Sequence, residues 1–174
     1  MAGADITSLD DTKLTKLRRD HIGFIFQFFN LLPMLTAAEN IVLPLKLAGS
    51  TPDKAWVAEL VEKVGLGDRL THRPAELSGG QQQRVAVARA LVSRPSVMFA
   101  DEPTGNLDST TGAEVLELLR AAVRTTWQTV VMVTHDPVAA GYADSVVFLS
   151  DGLIVEDRGR MSADQILDIV KGLE

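Results

Sequence analysis

The sequence contains no cysteine and only three histidines in 174 residues. Without cysteine there can be no disulfide bond, no thiolate metal ligand and no cysteine nucleophile. The histidines are His21, His72 and His135, which lie far apart along the chain. This spacing argues against a zinc cluster built on histidine.

Long apolar runs and an excess of basic residues are also missing. No stretch approaches the roughly 20 apolar residues that span a bilayer, and residues 1–11 lack the basic and then apolar pattern of a secretory signal. The formal net charge is −6, whereas nucleic-acid phosphates bind to basic surfaces. We therefore expect a soluble protein with no nucleic-acid partner, whose association with a membrane would require a partner.

Short apolar runs alternate with helical patterns along most of the chain. Strands are predicted at 22–26, 97–100, 129–133, 145–149 and 153–155, the last two joined by a turn at Asp151-Gly152. Helices are predicted from Thr51-Pro52 to Gly65, at 81–92 and 110–125, after Pro137 and after Ser162. The alternation implies an α/β fold with a largely parallel sheet covered on both faces. The stretch 28–92 has no convincing strand and is predicted to be a helical insertion, interrupted at Pro33 and Pro44.

Two acids, Asp101 and Glu102, follow the apolar run Val97-Met98-Phe99-Ala100. In an open α/β sheet, ligands bind at the carboxyl ends of the strands. There Asp101 could hold Mg²⁺, directly or through water, and Glu102 could orient or deprotonate an attacking water. A solvated strand end without function is the alternative.

The run Leu77-Ser78-Gly79-Gly80-Gln81 opens a predicted helix. Its two glycines let the backbone approach a ligand closely, and the first N–H groups of a helix favour an anion such as phosphate. The hydroxyl of Ser78 would be a further donor. The alternative is an ordinary helix start with Ser78 as the N-cap.

Polar residues also occur at three further boundaries of predicted strands and helices. Gln27 ends the first predicted strand, and His135 ends the strand at 129–133. Asn106-Leu107-Asp108 comes just before a helix, where Asp108 is either a plain N-cap or a polar contact near a phosphate. Taken singly, each position has an ordinary structural explanation.

Taken together and in this order, these motifs resemble the nucleotide-binding subunit of ABC transporters over nearly the whole chain. Gln27 matches the Q-loop, Leu77 to Gln81 the signature motif, Val97 to Asp101 the Walker B strand, Glu102 the catalytic glutamate, Asn106 to Asp108 the D-loop and His135 the switch histidine. The segments 26–33 and 100–109 are similar to the export-type members that release lipoproteins or export macrolides and antimicrobial peptides.

The resemblance implies a P-loop NTPase (RecA-like) fold that binds ATP and Mg²⁺. It implies a helical insertion at about 28–92 and a core at 93–174 with Walker B, the D-loop and the switch histidine. Two subunits would face each other head to tail. A transmembrane permease would be the partner that brings them to the cytoplasmic face of the plasma membrane.

The resemblance also implies a role for each matched residue. Glu102 would act as the general base or as a water-orienting group, and His135 would contact the γ-phosphate. Asp101 would support Mg²⁺, and Gln27 would contact Mg²⁺ or the attacking water. Asp108 would couple the two sites of the dimer. The opposite subunit's γ-phosphate would be capped by the signature residues, which are Ser78, Gly79, Gly80 and Gln81.

One motif of that family, the phosphate-binding G-x-x-x-x-G-K-[ST], does not occur in the sequence. The family places it before the Q-loop, so we expect the P-loop and the N-terminal strands to be missing and the chain alone to be inactive. In the family that P-loop strand is expected beside the Walker B strand. Its loss should then leave strand 97–100 with an unpaired edge and cause self-association.

Three alternatives remain open at this level. The chain could be a truncated, non-hydrolysing paralogue that acts as a regulatory or interaction module, or it could be a decayed gene product. A DNA-repair or chromosome ATPase carries similar motifs. Such proteins place long coiled coils between their halves, and this sequence has none.

Overall fold

The computed structural model describes residue 7 and residues 9–126 and 128–173. In chain order the elements are α1 (Asp11–His21), β1 (Ile22–Ile25), α2 (Ala37–Leu47), α3 (Lys54–Lys63), a 3₁₀ turn (Pro74–Glu76), α4 (Gly79–Leu91), β2 (Val97–Asp101), α5 (Ser109–Thr126), β3 (Thr129–Val133), α6 (Pro137–Ala140), β4 (Ser145–Ser150), β5 (Leu153–Gly159) and α7 (Ala163–Leu173). The prediction of an α/β fold with a parallel sheet is confirmed.

Strands β1, β2 and β3 form a parallel sheet with β2 in the middle. Phe24, Phe99 and Val131 lie side by side in its register. The predicted unpaired edge of the apolar strand at 97–100 is therefore wrong, because that strand, β2, makes ladders with both neighbours. Among the described strands, the free edges of this sheet belong to β1 and β3.

One face of the sheet is closed and the other is open. Ile25, Met98 and Ala100 are at most 1% exposed, and they belong to the same core cluster as the buried residues of α4 and α5. On the opposite face, Phe24 and Phe99 remain 43% and 37% exposed. The predicted burial of both sheet faces is thus wrong for the described part of the chain, in which no element covers this second face.

The stretch 28–92 contains helices and no strand in the described residues, as predicted. The predicted interruption at Pro44 is wrong, because α2 runs through this residue. Its start is secured by a capping box between Thr36 and Glu39 and by the buried amide of Asn40, which accepts from Leu32 N–H at 2.8 Å. We infer that these bonds hold α2 despite the backbone donor that proline lacks.

Helix α3 starts later than its sequence pattern indicates. The N-cap is Asp53, whose Oδ1 accepts from the N–H groups of Ala55 and Trp56 at 3.0 and 3.3 Å, so the predicted start at Thr51-Pro52 is wrong by two residues. A carboxylate satisfies the free donors of a first turn well. Gly65 follows the helix with φ +66°, the left-handed conformation expected of a glycine at this place.

The C-terminal part follows the prediction closely. Asp151 and Gly152 both have positive φ, as a two-residue hairpin turn requires, although β5 extends beyond the predicted 155 to Gly159. Helix α7 begins just after Ser162, as predicted, and Ser162 and Gln165 make a reciprocal capping box at its start. Helix α1 was not predicted, because it buries no residue and so lacks an apolar stripe.

Across the described residues, every helix is too short or too polar to cross a membrane.

Candidate active site

The polar residues that follow the three parallel strands lie at one edge of the sheet. Gln27 comes two residues after β1, Asp101 is the last residue of β2, and His135 comes two residues after β3. Because the strands are parallel and in register, their carboxyl ends meet at this edge. The fold thus brings together strand-end residues that the sequence places about 75 and 34 positions apart.

Glu102 and His135 are in direct contact. Glu102 Oε1 accepts from the backbone N–H of His135 at 2.8 Å and lies 2.7 Å from its Nδ1, and Glu102 Oε2 accepts from the hydroxyl of Thr134 at 3.0 Å. The glutamate side chain is 16% exposed and the histidine side chain 86%. The carboxylate is therefore fixed from three directions, while most of the imidazole faces solvent.

The backbone of Glu102 is also held in an unusual conformation. Its φ is +44°, a region that residues with a side chain seldom adopt and that is found more often at functional sites. Its N–H donates to Val133 O at 2.9 Å, which continues the link between β2 and β3 by one residue. This turn directs the side chain across the end of β3 and onto His135.

Gln83, which was not singled out from the sequence, supports the same turn from α4. Its buried side chain donates through Nε2 to the carbonyl of Pro103, and its Oε1 has no partner among the described residues. The available signal was its position four residues before the buried Val87, on the buried stripe of the helix. A polar residue on such a stripe indicates a specific bond and not packing alone.

The Asn106-Leu107-Asp108 segment links the sheet edge to the start of α4. Asn106 Nδ2 donates to the backbone carbonyl of Gln27 at 2.9 Å. The side chain of Gln27 lies over Gly105, where an added Cβ would come within 2.9 Å of Gln27 Nε2. Gly105 is thus needed for the close approach of the two segments.

The start of α4 is a capped helix that packs against α5 of the same chain. Ser78 Oγ accepts from Gln81 N–H at 3.3 Å, and Gln81 Oε1 accepts from Ser78 N–H at 2.9 Å. A Cβ on Gly80 would lie 2.3 Å from Thr111 Cγ2. The structural alternative for Ser78 is therefore present. By helix geometry the N–H groups of Gly79 and Gly80 have no acceptor within α4 itself.

Asp108 caps α5 in this single chain. Oδ1 accepts from the N–H groups of Thr110 and Thr111 at 3.1 and 3.0 Å, and Oδ2 accepts from the Thr111 hydroxyl at 2.7 Å. The side-chain bond from Thr111, together with the backbone bonds, lowers the pKa of Asp108. The N-cap alternative is thus present here, and a coupling role between two subunits stays a prediction.

The donor set fits Mg²⁺ bound together with a phosphate better than a cation bound by protein alone. The described residues contain no group of three or more histidine or acidic side chains that could hold a metal. Magnesium bound with a nucleotide needs only one or two protein oxygen ligands, since phosphate and water supply the rest. The exposed carboxylate of Asp101 meets that need, and the start of α4 suits an anion.

The chain carries an Asp-Glu pair, a histidine and a glutamine at the ends of its parallel strands, and its structural neighbours are ABC ATPase cassettes, so it has the P-loop NTPase fold. The family model described as ABC transporter matches residues 1–105. The macrolide export ATP-binding/permease protein MacB of Rhodopirellula baltica is 48% identical over 161 residues, which cover 90% of this chain and 24% of that protein. MacB of Marinobacter nauticus is 48% identical over 159 residues with the same coverage.

Comparison with solved structures indicates the same family. The ATP-binding cassette MJ0796, in a dimeric post-hydrolysis state bound to ADP and Pi, matches with a TM-score of 0.80 and 40% identity, over 93% of this chain and 72% of that one. The chain therefore belongs to the ABC transporter family. It spans about a quarter of the length of the MacB relatives, 24% in the first of them.

Proposed function

We propose that this chain is the ATP-binding and ATP-hydrolysing part of an export-type ABC transporter, with Glu102 and His135 as its catalytic pair. The observation that carries the proposal is the carboxylate of Glu102, held at the strand ends by Thr134 and His135 next to Asp101. A side chain held by several bonds at a partly open edge is suited to orienting one water molecule.

The bonds of Glu102 leave room for that water. A carboxylate has about four acceptor positions. Two on Oε1 face the N–H and the Nδ1 of His135, and one on Oε2 is taken by Thr134. The remaining position on Oε2 can accept from a water and align it for attack. With Nδ1 directed at Glu102, the Nε2 of His135 is the ring atom left to reach a γ-phosphate.

Asp101 and Gln27 are proposed as the residues that would hold Mg²⁺. Gln27 would also be able to contact the attacking water. When bound, Mg²⁺ would neutralise charge on the β- and γ-phosphate oxygens. The carbonyl of Gln27 is fixed by Asn106, so its side chain starts from a set position beside the sheet edge.

The second half of each site is proposed to come from a second copy in a head-to-tail dimer. The solved MJ0796 cassettes are described as dimeric. In such a dimer Ser78, Gly79, Gly80 and Gln81 would cap the γ-phosphate bound to the opposite subunit, with donors from the start of α4. Asp108, next to this helix start, would couple the two sites.

The proposed partner beyond the dimer is a transmembrane permease, and the proposed location is the cytoplasmic face of the plasma membrane. The MacB relatives are named ATP-binding/permease proteins, which supports a membrane partner of this kind. The net charge of −6 supports the absence of nucleic acid among the partners. We also propose that 28–92 is the helical insertion of a partial cassette whose core is 93–174.

By itself this polypeptide is proposed to bind ATP weakly and to turn over none. The sequence lacks G-x-x-x-x-G-K-[ST], and the backbone cradle and lysine of that motif supply much of the binding to the β- and γ-phosphates. The test compares the chain alone with a P-loop chimera, defined as the chain preceded by the P-loop-bearing segment of an ABC transporter ATPase.

We expect ATP turnover from the P-loop chimera and none from the chain alone. Glu102→Gln should lower kcat by about 10²–10⁴-fold, the usual contribution of a general base, without loss of ATP binding. Glu117→Gln is the matched control, since Glu117 is exposed on α5. A chimera that binds ATP but never hydrolyses it would favour the alternative of a non-hydrolysing interaction module.

A further inference from the structure

Arg89, near the end of α4, is bound to the turn that follows Gln27. Its Nη1 donates to Asn30 O at 2.6 Å and its Nη2 to Phe29 O at 2.8 Å. The two bonds connect residues 59 and 60 positions apart in the sequence. One guanidinium thus holds two consecutive peptide carbonyls, and its planar fork fixes the direction of both donors, which a freely rotating ammonium does not.

The charge of Arg89 has no acid to balance it in the described part of the chain, where every ion pair is made by other residues. Burial lowers the pKa of its guanidinium. A half-buried cation without a carboxylate relies on the carbonyl dipoles that it contacts. The two bonds to the turn therefore supply the contacts that this charge requires.

The turn is one that needs support. Phe29 and Asn30 have φ of 58° and 48°, and consecutive left-handed residues with side chains are rare because Cβ crowds the next carbonyl. Such a conformation persists only where its surroundings impose it. Arg89 is the side chain that contacts both carbonyls of this pair.

The same turn touches the other functional segments of the chain. Asn106 Nδ2 donates to the carbonyl of Gln27, and the ring of Phe29 lies 3.8 Å from where a Cβ of Gly79 would be. Gly79 and Arg89 are ten residues apart on α4, or about 15 Å along its axis. The turn thus contacts α4 near both ends of the helix. At the beginning of the turn, Gln27 is also bonded to the 106–108 segment.

We propose that Arg89 is a positioning residue that fixes the turn after Gln27 on α4, so that Gln27 keeps its place relative to Glu102 and the start of α4. The part of this proposal that concerns catalysis rests on the proposed function. The attachment of the turn to α4 does not, since it concerns only the folded chain.

Hydrogen–deuterium exchange of the full chain tests the attachment. In Arg89→Ala, amides of residues 26–32 should exchange about tenfold faster, as expected when charge-assisted bonds to a local turn are lost. Arg89→Lys keeps the charge but lacks the planar fork of donors, so it should give an intermediate rate. It carries the test if the alanine variant does not fold. Unchanged protection of this segment in the lysine variant, or in a folded alanine variant, would overturn the proposal.

Arg84 offers a matched control on the same helix. It donates to Val64 O at 3.1 Å and to Glu114 Oε2 at 2.6 Å, so it also binds a loop carbonyl, but away from Gln27. Arg84→Ala should speed exchange near residue 64 and leave 26–32 as in the wild type. Equal acceleration of residues 26–32 by both variants would reduce Arg89 to a general contributor to stability.

A double-mutant cycle in the P-loop chimera tests the catalytic part. Arg89→Lys should lower kcat about tenfold and change KM for ATP by less than about twofold, as expected for an effect on the reacting arrangement and not on binding. In a Gln27→Ala background, Arg89→Lys should cause no further decrease in kcat, because Arg89 acts through Gln27. Additive effects would overturn this role. A chimera without any turnover would count against the proposed function. Hydrogen–deuterium exchange of the full chain would still test whether Arg89 attaches the turn to α4.

Discussion

The two faces of the parallel sheet have similar composition and very different surroundings. Met98 on one face is fully buried, and Phe99, the next residue of the same strand, is 37% exposed on the other. The closed face lies in one core cluster with α4 and α5. On the open face, Phe24 stacks on Phe26 and on Phe99 with ring centroids 5.9 Å apart in each pair, so the aromatic side chains there cover one another.

The comparison shows that an apolar side chain in a strand is not necessarily buried. Both faces of β2 carry apolar side chains, as in parallel strands that are covered on both sides. Which face is closed depends on where the helices pack, and the closed face shares its core cluster with α4 and α5. The closed face should therefore carry most of the stability, and the open face should govern association.

The largest expected effect is that of truncating the closed face. Met98→Ala removes a fully buried side chain and should lower the free energy of unfolding by about 2–5 kcal/mol, because a cavity is left behind. Phe99→Ala removes a larger but partly exposed ring and should cost about 1–2 kcal/mol. Urea unfolding of the two variants makes the comparison. Equal costs would mean that the open face is covered in solution.

A smaller effect is expected from adding one methyl group to the closed face. A Cβ on Gly23 would lie 2.7 Å from the backbone oxygen of Ala90, so β1 and α4 would have to separate. Gly23→Ala should cost about 1–3 kcal/mol, the usual range for overpacking. Gly159→Ala, where nothing lies within 4 Å, is the control and should stay within about 0.5 kcal/mol. A tolerated Gly23→Ala would show that α4 is loosely held.

Local signals in the sequence accounted for much of the fold. The hairpin at Asp151-Gly152 and the capping boxes at Ser78 and Ser162 were predictable because each depends on residues at most three positions apart. The order of the motifs predicted which residues would meet at the sheet edge. The continuation of helix α2 through Pro44 was not predicted, because the bonds that support this helix are made by other residues.

Long-range contacts could not be predicted in the same way. The pairing of β2 with both neighbours depends on strand order, which the composition of β2 does not encode. Gln83 is one of three consecutive glutamines in α4, and Arg89 stands among apolar residues of the same helix. Their neighbours in sequence do not indicate that they bind the carbonyls of Pro103 and Asn30. Such bonds follow from the packing of whole elements and became visible only in the structure.

The open face also predicts how the chain associates. Val131 on β3 is 41% exposed beside the aromatic side chains of this face, and contiguous apolar surface favours self-association. Val131→Lys should therefore raise the concentration at which light scattering detects oligomers. Leu47→Lys, at a more exposed position at the end of α2, is the control and should change it little. If the two variants behave alike, association does not depend on the open face.

The smallest expected effect concerns the charge on Asp108, at the start of α5. Its pKa is lowered by the bonds from Thr111 and the backbone, so the folded state favours the ionised form. The resulting stabilisation is present above the ordinary pKa of about 3.9 and is lost as the pH falls below it through the folded value.

Asp108→Asn keeps an oxygen that can cap the helix but removes the charge. In urea unfolding, the wild type should be slightly more stable than the variant at neutral pH, and the gap should close as the pH falls below about 4 and through the lowered pKa of Asp108. Thr110→Ala, which retains the backbone donor, should run parallel to the wild type across this range. A gap that does not depend on pH would mean that the geometry of the cap matters and its charge does not.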